Sequence, residues 1–299
     1  MIPLVYHSSY SKLALPDNHR FPKTKYEDLY HYLLTQKIAK PAQFFEPKSL
    51  TQADLARVHC PQYVNHLLSG TLPEKAMRRI GFPWSHGLIE RTLHSVSGTA
   101  LTAELSIKHG IALHLSGGYH HAHYNFGSGF CLFNDLYFAA KQSLLDNDIN
   151  SVLIFDCDVH QGDGTATLAR NDDNIITCSL HCGANFPARK AASDYDIELE
   201  KGTTTPSYLE TIEQTLNYLI RLHQPDLILY DAGVDIHQDD DLGYLNICDS
   251  GIYQRDKLVF TIAQNNNTPI AAVIGGGYSR SRQSLTQRHS QMFSAALTL

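Results

Sequence analysis

Short apolar, β-branched runs recur along the chain at Ile-Ala-Leu-His-Leu-Ser (111–116), Val-Leu-Ile-Phe-Asp (152–156), Ile-Ile-Thr-Cys-Ser (175–179), Leu-Ile-Leu-Tyr-Asp (227–231) and Ile-Ala-Ala-Val-Ile (270–274). Longer stretches of helical periodicity lie among them, at 88–108, 134–146, 206–223 and 250–265. Such alternation predicts an α/β fold of three layers, a central, mainly parallel sheet with helices on both faces. No repeat, low-complexity tract or linker divides the chain, so residues 1–299 are expected to form one domain. At 43% hydrophobic content it can bury a sizeable core.

Four of the five runs end in residues that carry chemistry. Gly-Gly-Tyr-His-His-Ala-His follows the first, Asp-Cys-Asp-Val-His-Gln-Gly-Asp-Gly the second, Asp-Ala-Gly-Val-Asp the fourth and Gly-Gly-Gly-Tyr the fifth. Ligands of open α/β sheets bind outside the carboxyl ends of the strands, so these four loops are expected to meet at one pocket.

Charge and composition narrow the partners. A formal net charge of -6, with Lys and Arg scattered, gives no basic field for nucleic acid. No stretch approaches the roughly 20 apolar residues of a membrane span, and the start of the chain lacks the pattern of a leader, so a cytoplasmic location without a membrane partner is expected. Six cysteines contain no CxxC pair and read as reduced thiols. Seventeen histidines, several beside glycine and aspartate, direct attention to acid–base and metal chemistry.

Asp158 and His160 are two residues apart, and in extended backbone such side chains project to the same side and can share a metal. Asp235, beyond a second strand, would complete a set of one imidazole and two carboxylates with a position left for water, the pattern of a catalytic rather than structural zinc site. A lone Asp-x-His is more often a surface turn; the second strand end changes the balance. The tandem His120–His121 could be two ligands, two acid–base groups or only a polar turn. Because neighbours in extended chain point apart, general acid/base work suits them better, with Asp156 and Asp163 as carboxylate partners orienting the imidazoles. Tyr278 could donate a hydrogen bond to a developing oxyanion, although glycine-rich loops are more often phosphate cradles or plain turns. Phe130 and Phe186 lie in loops, where aromatic side chains usually plug the core and sometimes line a pocket. Asn134 or Asp135 reads as a helix N-cap.

Taken together, the motifs resemble the zinc-dependent histone deacetylase family of the arginase/deacetylase fold. The resemblance runs from His-Arg-Phe-Pro-Lys-Thr-Lys-Tyr (19–26) through the loops above, Gly-Ser-Gly-Phe-Cys-Leu-Phe-Asn-Asp, Cys-Ser-Leu-His (178–181) and Gly-Val-Asp-Ile-His-Gln-Asp-Asp-Asp-Leu-Gly to Gly-Gly-Gly-Tyr. Gln161, where most class I and II members have a second histidine, is similar to the class IV branch. The resemblance implies zinc at Asp158, His160 and Asp235, paired histidines at His120 and His121 backed by Asp156 and Asp163, and a carbonyl-polarising Tyr278. It also implies a structural potassium ion at Asp156, Ser179 and the backbone near Asp158, His160 and Leu180, and tunnel walls at Phe130 and Phe186. The acidic residue that grips a substrate backbone in class I and II enzymes has no counterpart in Arg-Arg-Ile-Gly-Phe-Pro-Trp-Ser-His-Gly-Leu (78–88). The expected activity is removal of an acetyl or longer acyl group from an acylated lysine, polyamine or other small acylated amine. Rivals are an arginase-like metal ureohydrolase, which needs two metals, and a non-catalytic module that binds acylated amines.

Overall fold

Eight parallel strands form one open sheet in the computed structural model, which describes residues 1–16 and 18–299. In chain order they are β1 (Leu4–Val5), β2 (Phe44–Phe45), β3 (Ile111–His114), β4 (Val152–Asp156), β5 (Ile175–Cys182), β6 (Tyr195–Leu199), β7 (Leu227–Asp231) and β8 (Ile270–Val273). Their spatial order is β2-β1-β3-β8-β7-β4-β5-β6. The five apolar runs are β3, β4, β5, β7 and β8, all fully buried, as parallel strands covered on both faces must be.

Period-two alternation divides each strand between two cores. Val152 and Ile154, Leu227 and Leu229, and Ala271 and Val273 belong to the cluster that takes in Ala103 and the Leu136–Ala139–Ala140 face of the next helix. Leu153 and Phe155, Ile228 and Tyr230, and Ile270 and Ala272 face the opposite cluster, with Leu216, Phe260 and Phe293. The first layer is built by helices His86–His109, Asp135–Ser143 and Asp163–Ala169, the second by Thr205–His223, Asp249–Asn265 and Arg282–Leu297. The expected three-layer α/β architecture is what the chain forms.

Three strands lie outside the sequence expectation. β1 and β2 have two residues each, too short to show a period. At the sheet edge, β6 alternates partly buried and exposed residues, so its Asp and Glu mask its apolar face. β5 also runs three residues beyond its apolar run, to Cys182.

Strand order positions the functional loops. β3, β8, β7 and β4 are consecutive in the sheet, and these four strands carry the four motif-bearing loops. Their register aligns Asp156 with Asp231, Asp231 with Val273, and His114 with Val273. All four loops therefore leave the sheet at the same level.

Candidate active site

The loop after β4 bends immediately. Asp158 and His160 lie in bends rather than in the extended backbone that the i, i+2 argument assumed, yet their side chains still meet. His160 Nδ1 is 2.9 Å from Asp158 Oδ1 and 3.2 Å from Asp235 Oδ2. Backbone donors fix the carboxylates: His160 N donates to Asp158 Oδ1, Gly276 N to Asp158 Oδ2 at 2.8 Å, and Val159 N to Asp235 Oδ1 at 3.0 Å. Asp235 Oδ2 is buried and lacks a hydrogen-bond partner among the described residues.

One donor atom from each of Asp158, His160 and Asp235 lies within 4.8 Å of the others, all three residues buried. A Cβ on Gly276 would collide with Asp235 Oδ2 and Asp158 Oδ2, so glycine there keeps the space between the two carboxylates open. Two carboxylates and one imidazole whose donor atoms converge on one space fit a divalent cation. Burial would lower the His160 pKa, but Asp158 and Asp235 outweigh it and raise the imidazole to about 10. A proton and a metal compete there for the same lone pair.

His120 and His121 sit in a turn rather than in extended chain, and this overturns the expectation that neighbouring rings point apart. Their Nε2 atoms are 3.2 Å apart. Each ring's other nitrogen is held as expected, His120 Nδ1 by Asp156 Oδ2 at 2.7 Å and His121 Nδ1 by Asp163 Oδ1 at 2.7 Å. Asp163 also faces His123 Nε2 at 3.3 Å. Burial opposes charge on both rings, but Asp156 and Asp158 overcome it at His120 and raise that ring well above the ordinary value. At His121, burial and the neighbouring His120 together lower the pKa to about 4. The pair thus favours a positive charge on His120 over one on His121, which suits His121 to the part of base.

The turn is braced from two sides. Asn134 caps the following helix, as one of the two expected candidates, by accepting from Tyr137 N, and its amide donates to Ala122 O and Thr165 Oγ1. Asp135, the other candidate, turns inward and accepts from Gly118 N, Tyr119 N and Thr99.

Tyr278 lines the same cavity, its ring centroid 6.4 Å from His160 and 5.9 Å from Phe130. Burial, with Asp158 and Asp235 nearby, pushes its phenol well above 10, so it is a proton donor throughout the neutral range. The cavity measures about 460 Å³, with His120, His121, Asp158 and His160 among its lining. Phe130 and Phe186 both line it. The Phe186 ring stands edge-on to His121 at 4.8 Å and is 45% exposed, as a residue at an opening would be. Phe130 adopts a left-handed backbone, φ 67°, and its N–H donates to Ile80 O. Ser179 and Asp156 pair across β5 and β4, and Ser179 Oγ lies 3.1 Å from His181 Nδ1.

Gln161 turns away from the cluster. Its amide donates to Ala191 O and Asp196 Oδ1 and accepts from Ala191 N, tying the loop after β4 to the segment before β6.

Two further acids of the quoted motifs, not singled out above, belong to the site. Asp231, at the end of β7, is completely buried, and both its oxygens lack hydrogen-bond partners among the described residues. Space for it is left by Gly118 and Gly275, where a Cβ would strike its carboxylate. Burial, then Asp156 and Asp158, hold it well above the ordinary carboxyl range. With His120 and Asp156 it forms a second group of potential donors. Asp240 accepts from Tyr278 N at 2.7 Å and from Leu242 N and Gly243 N, which anchors the backbone of the tyrosine. Asp231 closes an apolar strand and Asp240 sits in a run of three aspartates, 239–241, so nothing local sets either apart from its neighbours.

Residues 19–296 match the model of the histone deacetylase domain. The chain belongs to the histone deacetylase family. Members of that family are hydrolytic deacetylases. The chain is 43% identical to an uncharacterized protein of Picosynechococcus sp. over 294 residues, covering 98% of each. It is 31% identical to histone deacetylase 2 of Arabidopsis thaliana, over 94% of this chain and 75% of that one. An HDAC homolog solved in complex with SAHA has the same fold, with a TM-score of 0.83 and 21% identity, over 98% of this chain and 84% of the other. Among the described residues, no helix is long and apolar enough to cross a membrane.

Proposed function

We propose that the protein is a zinc-dependent deacylase that removes an acetyl or longer acyl group from an acylated amine of the lysine type. One observation carries this reading: an open set of two carboxylates and an imidazole lies beside a carboxylate-held histidine pair at one cavity. A zinc ion held by Asp158, His160 and Asp235 would polarise the amide carbonyl and acidify a water.

The protein's own groups do the rest. His121, neutral and fixed through Nδ1 by Asp163, takes the water's proton on Nε2 and delivers it to the departing amine. His120, kept protonated by Asp156 and Asp158, lies against His121 and stabilises negative charge forming in front of the pair. Tyr278 donates its phenolic proton as a hydrogen bond to the tetrahedral oxyanion. The bonds balance: water and amide become a carboxylate and an amine. Phe130 and Phe186 would flank the alkyl stem. A potassium ion at Asp156, Ser179 and the Leu180 carbonyl would be structural, and the register of β4 and β5 supports it. Gln161, tied into the β6 side of the sheet, is the residue that supports kinship to the class IV branch.

The arginase-like alternative needs carboxylates that bridge two metals. The second donor group, His120, Asp156 and Asp231, shares none with the first.

Metal analysis tests the ligand set. Asp158→Ala, His160→Ala and Asp235→Ala are each expected to purify with far less than one zinc per chain. A full equivalent of tightly held zinc in Asp235→Ala would show that the third ligand lies elsewhere.

A further inference from the structure

The mouth of the cavity differs in charge from the molecule around it. Although the chain carries a formal net charge of -6, among the described residues no carboxylate lines the cavity other than Asp158, which lies among the proposed metal ligands. Arg79 lines it from the end of the helix Glu74–Ile80, exposed, with its guanidinium 4.8 Å from the Phe126 ring centroid. Among the described residues it forms no ion pair, and stacking on an aromatic ring leaves the guanidinium edge free to meet an anion.

A second groove, about 820 Å³, adjoins the cavity and shares Phe21, Leu242 and Tyr278 with it. Its lining includes Arg20 and Arg280, both exposed and without an ion pair among the described residues, and Arg282, which pairs with Asp28. Asp241 is the one carboxylate among its described lining residues. Substrate entering with its acyl end toward His121 and Asp158 would leave the far end of its amine half at this rim, between Arg79 and the Arg20–Arg280 side.

We propose that this rim selects acylated amines that carry a carboxylate at the end remote from the acyl group, and disfavours acylated polyamines, whose remote end is cationic. The proposal rests on the deacylase reading for the direction in which substrate enters. It names a charge on the substrate, which a free acylated amino acid or an acidic peptide flanking an acylated lysine could each supply.

Three matched compounds test it: acetamidohexanoate, acetamidohexanamide and acetamidohexylammonium, which share the acyl group and a six-carbon chain and differ in the charge of the far end. Binding is measured by calorimetry and turnover by acetate release, on the zinc-loaded protein at low and high salt. The acid is expected to bind and turn over about five- to tenfold better than the ammonium compound at low salt, with the amide between them. High salt should compress that ratio. Arg79→Glu and Arg280→Glu, both at exposed positions, should each shrink the acid-to-ammonium ratio at least twofold. Acetyl-lysine peptides with glutamate or lysine flanks then separate the two sources of carboxylate: a glutamate gain equal to that of the small acid assigns it to peptides, and a smaller gain to free acids.

Equal hydrolysis of all three compounds, or a preference for the ammonium compound, would overturn the selection while leaving deacylation standing. So would an Arg79→Glu variant that lowers all three alike. The expected order in binding without any acetate release would instead sustain the rim and remove the deacylase reading.

Discussion

Tyr278 and Asp240 divide a task at the level of single residues: one presents the phenol, the other holds its backbone through Tyr278 N at 2.7 Å. If the phenol acts on the oxyanion, Tyr278→Phe should lower kcat by about 10²–10³ with KM and bound metal nearly unchanged, as removal of one oxyanion donor does. Steady-state kinetics with metal analysis checks this, and a loss confined to KM would make Tyr278 a ground-state binder. Asp240 has a distinct pH signature. Burial and the nearby Asp235 raise its carboxyl to about 7, against three backbone N–H groups that lower it. A carboxyl raised in the folded state stabilises most below its unfolded pKa, near 3.8, and loses that contribution as pH rises to about 7. Thermal melts of Asp240→Asn should therefore lack that decline: relative to wild type, the variant gains from pH 4 to 7 and gains nothing further above 7. Parallel profiles would show that Asp240 titrates normally. At this scale the histidines and their carboxylates were legible because His120, His121, Asp156, Asp158, His160 and Asp163 crowd into two short motifs. Asp231 and Asp135 were not. A lone carboxylate at a strand end or helix start looks like a turn or a cap, and only the glycines packed against Asp231, or the N–H groups aimed at Asp135, reveal otherwise.

Among the elements, the Gly275–Tyr278 loop makes the strictest demand on sequence. Its glycines let the backbone approach the buried aspartates closely. Gly275 takes φ +59° beside Asp231, while Gly276 donates to Asp158 and leaves room for Asp235. Gly276→Ala is therefore expected to keep the fold, since β8 ends at Val273, but to weaken zinc binding by about 10–100-fold, the usual cost of disturbing groups that orient metal ligands. Circular dichroism with a zinc competition titration separates the two outcomes. Unchanged affinity would mean that the loop yields easily. The buried strands were legible because full burial on both faces gives continuous apolar runs. β6 escaped because one face meets solvent, and β1 and β2 because two residues show no pattern. The tandem histidines were misjudged in geometry though not in partners: a turn at 120–121 brings together rings that extended chain would separate.

For the whole molecule, the decisive fact is the strand order. β3, β8, β7 and β4 stand side by side although they are far apart in the chain, so loops carrying His120, Tyr278, Asp235 and Asp158 converge without any long connection reaching across. Convergence was foreseeable from the rule for parallel sheets, but the neighbour order was not, because nothing local to a strand names its partners. The same arrangement gathers Asp156, Asp158, Asp231 and Asp235 in a buried space with two imidazoles, an environment suited to a cation. The most direct test of that claim is stoichiometric: chelator-stripped protein is titrated with zinc while acetate release from a neutral acetyl-lysine amide is followed. Activity is expected to be absent without metal, to rise linearly and to break at one zinc per chain. Full activity in the stripped protein, or a break at two zinc ions per chain, would contradict a single-zinc deacylase.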